Sequence, residues 1–172
     1  MAKAVRDPWV WGQMALIALV GVVAPLLPRC VSLGDVDPAI NRVDPDWIRW
    51  LGAPLIAAGL AMAVWGVRSL GRSLTPGTEP LAGAPLVTSG AYAHSRHPIY
   101  LGIVLGLTGY TLAWSNWTLA LVLGFVALKY FERKAKAEER WLVERYPLYG
   151  SYMRQVPRRV LWRQSHGGRS SA

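Results

Sequence analysis

Long uncharged stretches are the feature that most constrains how this chain folds. Val10–Leu27 carries no charged residue, and Trp47–Val67 carries only Arg49 near its start. As helices, both are long enough to cross a hydrocarbon core of about 30 Å. Two shorter uncharged stretches, Ile99–Ala113 and Trp117–Leu128, predict either tilted helices in a thinned bilayer or a helical hairpin that draws length from flanking residues. The sequence therefore predicts an all-α integral membrane protein with about four transmembrane helices.

The composition supports a membrane protein and excludes other classes. Of the 172 residues, 52% are hydrophobic and 17% are charged, whereas soluble domains have about 25% charged residues. This balance excludes intrinsic disorder, which requires low hydrophobicity and high charge. Nine Trp residues against two Phe are typical of membrane–water interfaces. The single cysteine, Cys30, excludes an intramolecular disulfide framework and a cysteine-based metal cluster, and we expect no metal site.

The distribution of positive charge predicts the orientation in the membrane. The net charge is +9, and eleven Lys and Arg residues follow position 128, whereas the loop 28–46 holds two beside four Asp residues. Because Lys and Arg concentrate on the cytoplasmic side, we expect both termini and the loop 68–97 in the cytoplasm, at a bacterial plasma membrane. The same charge predicts contact with anionic membrane lipids. No nucleic-acid-binding motif accompanies it, so we expect no nucleic-acid partner.

The third predicted helix carries a pattern of small residues. Gly102, Gly106 and Gly109 lie at spacings of four and three residues, which permits close approach of a neighbouring helix. We expect this packing to occur within the monomer.

Two polar segments on the predicted cytoplasmic side carry the chemically versatile side chains. The first, Pro85–Gly102, places Arg96, His97 and Tyr100 at the start of the third predicted helix. Pro98 suits the first turn of that helix, because its missing N–H costs nothing there. From their position alone, Arg96 and His97 fit interfacial anchors as well as site residues.

The second polar segment, Glu132–Tyr152, is predicted to continue the fourth helix beyond the bilayer. It carries the adjacent carboxylates Glu138 and Glu139, with Lys134 one turn before Glu138 on the same face. By spacing alone, these charges fit a solvated helix face as well as a site. The chain has no Ser-His-Asp order, P-loop or GxGxxG pattern, so hydrolase, kinase and soluble Rossmann interpretations have no support.

The motifs of the two segments, taken together, resemble one family. They are GxYxxxRHPxYxG without a gap from Gly90 to Gly102, EERWL at Glu138–Leu142, YPLY from Tyr146 and VPR from Val156. This combination resembles the isoprenylcysteine carboxyl methyltransferase family, which stands with the phospholipid N-methyltransferases among integral-membrane methyltransferases. The resemblance covers about residues 68–159 and implies S-adenosyl-L-methionine as the methyl donor, without a metal.

The resemblance also implies roles for individual residues. Arg96, His97 and Glu138 are implied to be catalytic, and Lys134, which stands where the family has Arg, is implied to hold the acceptor carboxylate. Tyr rings suit the cofactor's sulfonium because they attract cations, and a Glu carboxylate suits its ammonium or ribose hydroxyls. The residues implied to contact the cofactor are Pro85, Leu86, Val87, Tyr92, His97, Pro98, Ile99, Tyr100, Glu138 and Glu139.

We therefore expect residues 1–164 to form a single membrane methyltransferase domain, with 165–172 as a flexible tail. The expected acceptor is lipophilic, apolar or amphiphilic, for example an isoprenylcysteine-like carboxylate, and reaches the site through the membrane. A phospholipid or other amine and a small thiol stay open as alternative acceptors. A non-catalytic membrane binding module and a small transporter are the alternatives from other classes. An enzyme is favoured over a module because the chain retains Arg96, His97, Tyr100, Glu138 and Glu139. A transporter normally places ionisable residues at mid-membrane, which only Arg49 approaches here.

Overall fold

The computed structural model describes residues 7–26, 46–75, 77–78, 83–114 and 117–161. All regular elements in these ranges are helical, so the predicted all-α class is confirmed. The loop up to position 45 and the predicted flexible tail 165–172 lie outside the described residues. Three short 3-10 turns, Asp46–Leu51, Gly71–Ser73 and Gly90–Ala93, flank the helices. The helices are α1 (Pro8–Leu26), α2 (Gly52–Leu70), α3 (Pro98–Trp114), α4 (Trp117–Arg145) and α5 (Tyr149–Gln155).

Two helical segments are long and apolar enough to cross a membrane, by length and composition. They are α1 and the continuous stretch Trp47–Ser73 that includes α2. The apolar helix α3 has 17 residues and is shorter than these. Many large apolar side chains on the outer helix faces are exposed, among them Trp11, Leu60 and Phe125, as expected for contact with lipid. The number of full spans stays a prediction.

Helix α4 continues from its apolar stretch into the polar segment, as predicted. Its 29 residues include both the fourth apolar stretch and most of the polar continuation. The prediction that this helix reaches Tyr152 is wrong, because α4 ends at Arg145 and α5 begins at Tyr149. Pro147 explains the break, since it has no N–H to donate and disfavours helical geometry in the residue before it.

Glycines allow α2 and α3 to pack with their backbones in contact. A Cβ at Gly59 would lie 2.6 Å from the carbonyl oxygen of Gly102, and a Cβ at Gly102 would lie 2.6 Å from that of Gly59. Gly52 and Gly109 approach each other in the same way, with corresponding distances of 2.6 and 2.8 Å. The predicted packing of the α3 glycines within the monomer is therefore confirmed. This close pair fixes the start of α3 beside the end of α2.

The main apolar core lies between α1, α3 and α4, where Val20, Val104 and Phe131 are buried together. The buried face of α4 continues beyond its apolar half into its charged half. Polar residues that fall on this face are therefore carried into the interior. The buried residues of α4, at helical spacing, are Ala120, Gly124, Ala127, Leu128, Phe131, Lys134, Ala135 and Glu139.

The segment after α5 passes beside the start of α3. The backbone N–H groups of Arg96 and His97 donate to the carbonyl oxygens of Arg158 and Arg159, both at 3.0 Å. The Ser95 hydroxyl also donates to the Arg159 carbonyl, at 2.9 Å. These bonds hold the residues immediately before α3 in place. They therefore fix the backbone from which the side chains of Arg96 and His97 extend.

Candidate active site

An open cavity lies among the end of α2, the segment before α3, the charged half of α4, and α5. Ten of the predicted site residues line it, although they come from two segments separated by the α3–α4 hairpin. The cavity wall is mixed, with aromatic and aliphatic side chains around a few charged groups. The predicted residues in the lining are Pro85, Leu86, Val87, Tyr92, Arg96, His97, Ile99, Tyr100, Lys134 and Glu138.

The other two predicted residues, Pro98 and Glu139, lie outside the cavity lining. Pro98 is fully buried and packs against α2, where a Cβ at Gly66 would lie 3.3 Å from its Cγ. Glu139 is buried behind the cavity. Adjacent residues on a helix point about 100° apart, and here Glu138 faces the cavity while Glu139 does not.

Glu138 lies at the centre of the polar part of the cavity. The Tyr100 hydroxyl donates to its Oε2 at 2.7 Å, and His97 Nδ1 lies 3.7 Å from the same oxygen. The His97 and Tyr100 rings are stacked, with centroids 5.2 Å apart and an interplanar angle of 5°. Burial raises the pKa of Glu138, and the nearby His97 and Tyr100 offset this only in part. The side chain keeps about 20% of its surface exposed, so a ligand can reach the carboxylate.

Glu139 forms a buried ionic network that supports the cavity from behind. Its two oxygens accept hydrogen bonds from Arg96 Nε and Arg159 Nε, both at 2.7 Å. His97 Nε2 lies 3.4 Å from Glu139 Oε1. Burial alone would raise the pKa of Glu139, but its contacts with His97 and Arg96 lower it to about 2. Glu139 is therefore a carboxylate that two guanidinium groups hold in its charged form, and Arg159 also pairs with Glu132 at 3.7 Å.

Arg96, predicted to be catalytic, has its side chain fully buried in this network. Besides the bond to Glu139, its Nη1 donates to the carbonyl oxygen of Val156 at 2.7 Å. The guanidinium thus connects the start of α3 with α4 and with the segment after α5. This geometry fits a residue that positions its neighbour His97.

Lys134 lines the cavity although only 1% of its surface is exposed. Its ammonium donates to Oε1 of Gln13 on α1 and lies 5.1 Å from the centroid of the Tyr100 ring. Burial lowers the pKa of Lys134, while the charges of Glu138 and Asp7 oppose that shift. An ammonium in such surroundings is suited to an anionic partner.

Sequence reasoning missed several lining residues. Gln13 comes from α1, which resembles the family only in being apolar. The signal that could have indicated Gln13 is its polar side chain within an otherwise apolar helix. Tyr146, Tyr149 and Tyr152 also line the cavity, at three-residue spacing across the break between α4 and α5. The Tyr146 hydroxyl donates to the Ala84 carbonyl at 2.7 Å. These tyrosines therefore attach α5 to the cavity wall.

Comparison with known proteins finds similar chains. The sequence model of the phospholipid methyltransferase family matches residues 47–148, more than half of the chain. The chain is 34% identical over 73 residues to protein-S-isoprenylcysteine O-methyltransferase of Schizosaccharomyces pombe, which covers 42% of this chain and 31% of that protein. It is 31% identical over 72 residues to the cobalt-zinc-cadmium resistance protein CzcN of Cupriavidus metallidurans, covering 42% of this chain and 33% of that protein.

A third relative is the nickel-cobalt-cadmium resistance protein NccN of Alcaligenes xylosoxydans xylosoxydans. It is 29% identical over 72 residues, which cover 42% of this chain and 34% of that protein. The chain thus matches about a third of the length of each of these relatives. In the described part of the chain, no group of three or more His, Cys, Asp or Glu side chains is placed to hold a metal ion.

Proposed function

The chain belongs to the phospholipid methyltransferase family, and we propose that it is an integral-membrane methyltransferase using S-adenosyl-L-methionine. The observation that carries this proposal is the convergence of Tyr92, His97 and Tyr100 with Glu138 on one cavity. These residues belong to segments that are distant in sequence, and the resemblance assigns both segments to the same cofactor. The fungal relative is named an O-methyltransferase, which is in keeping with this chemistry.

The cavity lining fits S-adenosyl-L-methionine, which supplies an activated methyl group when it is bound. Glu138 offers a carboxylate to the cofactor's ammonium, and the Tyr100 ring offers a π-face to a sulfonium. Leu86 and Val87 provide apolar wall for the adenosyl part. The buried hydroxyl of Tyr149 has no hydrogen-bond partner among the described residues, and such a group is satisfied when a polar ligand binds.

Positioning is the main contribution that these residues make to methyl transfer. The transfer is an in-line displacement without a covalent enzyme intermediate, and holding two reactants in line supplies about 7–11 kcal/mol. His97 is held in place by its stack on Tyr100 and its contacts with the two carboxylates. It therefore either binds the polar end of the cofactor or takes a proton from the acceptor.

The acceptor that we propose is apolar or amphiphilic and carries an anionic group near the methylated atom. The buried ammonium of Lys134 supports the anionic group, because a protonated amine placed there would be repelled. Ile99, Ile103 and Leu142 give the cavity an apolar wall, and the outer faces of the neighbouring helices are suited to lipid. An isoprenylcysteine-like carboxylate meets both requirements, whereas a small soluble thiol lacks the apolar part.

The experiment that tests this function uses membranes containing the full chain and donor labelled on its methyl group. Lipid, protein, water-soluble and volatile products are then separated and counted. Label in the lipid or prenylated fraction, lost in Glu138→Gln and retained in Glu144→Gln on the exposed face of α4, is the expected result. No label above membranes that lack the protein contradicts the activity, and label in soluble products alone contradicts the acceptor class.

A further inference from the structure

Gln13 is the polar residue that α1 contributes to the cavity. Its side-chain carbonyl accepts a hydrogen bond from the Lys134 ammonium. The bond joins residues 121 positions apart in sequence, and Gln13 lies outside the segment that matches the family. The first helix, which the family match does not include, therefore contacts a residue of the cavity.

Other bonds fix the first turns of α1 close to Gln13. The Tyr130 hydroxyl donates to the Trp9 carbonyl at 2.6 Å, which ties α1 to α4 one turn before Lys134. Asp7 Oδ2 accepts hydrogen bonds from the backbone N–H and the hydroxyl of Thr78, at 2.7 and 2.8 Å. Gln13 is thus held on a helix that is anchored on two sides, and its carbonyl can direct the Lys134 ammonium.

We propose that Gln13 is a specificity-determining residue, which holds the Lys134 ammonium at the cavity wall and so makes the site prefer acceptors with an anionic group. This inference rests on the proposed function. A hydrogen bond from an ammonium to a carbonyl favours the charged form without neutralising it. The ammonium therefore keeps its charge, whereas a carboxylate at position 13 would add a negative charge beside it.

Several groups from neighbouring elements act on the same ammonium. Glu138 on α4 and Asp7 before α1 favour its charged form, and burial disfavours it. The Tyr100 ring on α3 attracts it at 5.1 Å. Removal of the Gln13 carbonyl takes away a direct hydrogen bond while these groups stay in place. We therefore expect the preference for an anionic ligand to weaken, and to be lost at lower pH than in the wild type.

The test measures binding of a matched pair of ligands to the purified full chain in a non-ionic detergent. The pair is N-acetyl-S-farnesylcysteine, an acid, and its neutral methyl ester, so the two share the apolar tail. The variants are Gln13→Leu, which removes the carbonyl, and Gln13→Glu, which keeps an oxygen and adds a negative charge. Met14→Leu, at an exposed neighbouring position of α1, is the control.

We expect the wild type and Met14→Leu to bind the acid about ten-fold more tightly than the ester, the effect of one hydrogen-bonded charge. In both Gln13 variants the ratio should fall to about two or less, with the affinity for the ester unchanged. An acid-to-ester ratio that persists in both variants, or an equal loss of acid and ester affinity, overturns the proposal. Failure of the proposed function would be seen separately, as absent binding of S-adenosylhomocysteine to the wild type.

Discussion

At the scale of single residues, Glu138 and Glu139 are neighbours in sequence with opposite electrostatic surroundings. Glu138 faces the cavity and has a raised pKa because of burial, whereas Glu139 is paired with Arg96 and Arg159 and has a pKa near 2. Because of these shifts, Glu138 takes up a proton at a higher pH than Glu139 does. This difference supports the proposed role of Glu138 in ligand binding, while Glu139 holds the buried network together.

The raised pKa of Glu138 predicts how cofactor affinity depends on pH. We propose that the carboxylate form of Glu138 binds the cofactor's ammonium. Affinity should then fall as the pH is lowered through the pKa of Glu138, which lies above the usual value of 4.5. Glu138→Gln should bind weakly and show no such dependence in that range. Titration with S-adenosylhomocysteine between neutral and mildly acidic pH measures this. An equally steep loss of affinity in Glu138→Gln would assign the dependence to another group.

The buried network around Glu139 predicts a large effect on stability. Glu139→Gln leaves Arg96 buried without its carboxylate, which typically costs about 3–5 kcal/mol. The measurement is the thermal midpoint of the detergent-solubilised protein, with Glu144→Gln on the exposed surface of α4 as the control. Equal midpoints for the two variants would show that the network contributes nothing to stability.

The sequence allowed us to predict those lining residues that belong to a local motif. The string from Gly90 to Gly102 brings Tyr92, His97 and Tyr100 together, because these residues share a short turn and the first turn of α3. The burial of Glu139 was not predictable, since its partners Arg96 and Arg159 lie 43 and 20 positions away. Spacing alone could not distinguish such a carboxylate from one on a solvated face.

At the scale of elements, the close α2–α3 pair is what places the start of α3. The glycines of α3 were recognisable as a small-residue pattern. The matching series Gly52, Gly59 and Gly66 on α2 has a seven-residue spacing, which brings each glycine back to the same helix face after two turns. Which helices pair through such faces depends on the complete fold. The sequence therefore indicated that α3 packs closely against another helix, but not that this helix is α2.

Two glycines of α3 give a matched test of this packing. A Cβ at Gly102 would lie 2.6 Å from the Gly59 carbonyl oxygen, whereas a Cβ at Gly106 would meet nothing within 4 Å. Gly102→Ala should therefore destabilise the protein by about 1–3 kcal/mol, the usual cost of overpacking. Gly106→Ala should be neutral or stabilising, because Ala favours a helix over Gly. Thermal midpoints in detergent test both, and similar values would argue against backbone contact between α2 and α3.

The break between α4 and α5 shows how one residue changes an element. Helical spacing and charge favoured a continuous helix to Tyr152, but Pro147 ends the hydrogen-bonding pattern. The break lets α5 turn back, so that the Tyr152 hydroxyl donates to the Tyr92 carbonyl at 2.6 Å. A continuous helix would have carried Tyr152 away from the cavity.

At the scale of the whole molecule, the first helix and the segment after α5 both contribute to the same cavity. Helix α1 supplies Gln13 to the cavity, and the segment after α5 holds Arg96 and His97 through backbone bonds. The sequence predicted the helices and most of the residues of the second half that line the cavity. It did not predict that α1 contributes, because an apolar helix gives no signal about which face contacts which neighbour.

The charge distribution predicts which side of the membrane this site faces. With both termini in the cytoplasm and the loop 28–46 outside, single cysteines at positions 40 and 170 should react with a membrane-impermeant reagent from opposite sides. The chain carrying Cys30→Ser provides the background without other thiols. Labelling of both positions from the same side would contradict the topology and, with it, a site on the cytoplasmic side.

The central claim is that the start of α3 and the charged half of α4 form one site for S-adenosyl-L-methionine. Calorimetric titration of the purified wild type with this donor, beside His97→Ala, Glu138→Gln and the control Glu144→Gln, tests it most directly. Saturable binding is predicted for the wild type and the control, with a loss of about 1–3 kcal/mol in each of the other two variants. Identical isotherms in all four folded proteins, or no binding to the wild type, would contradict the claim.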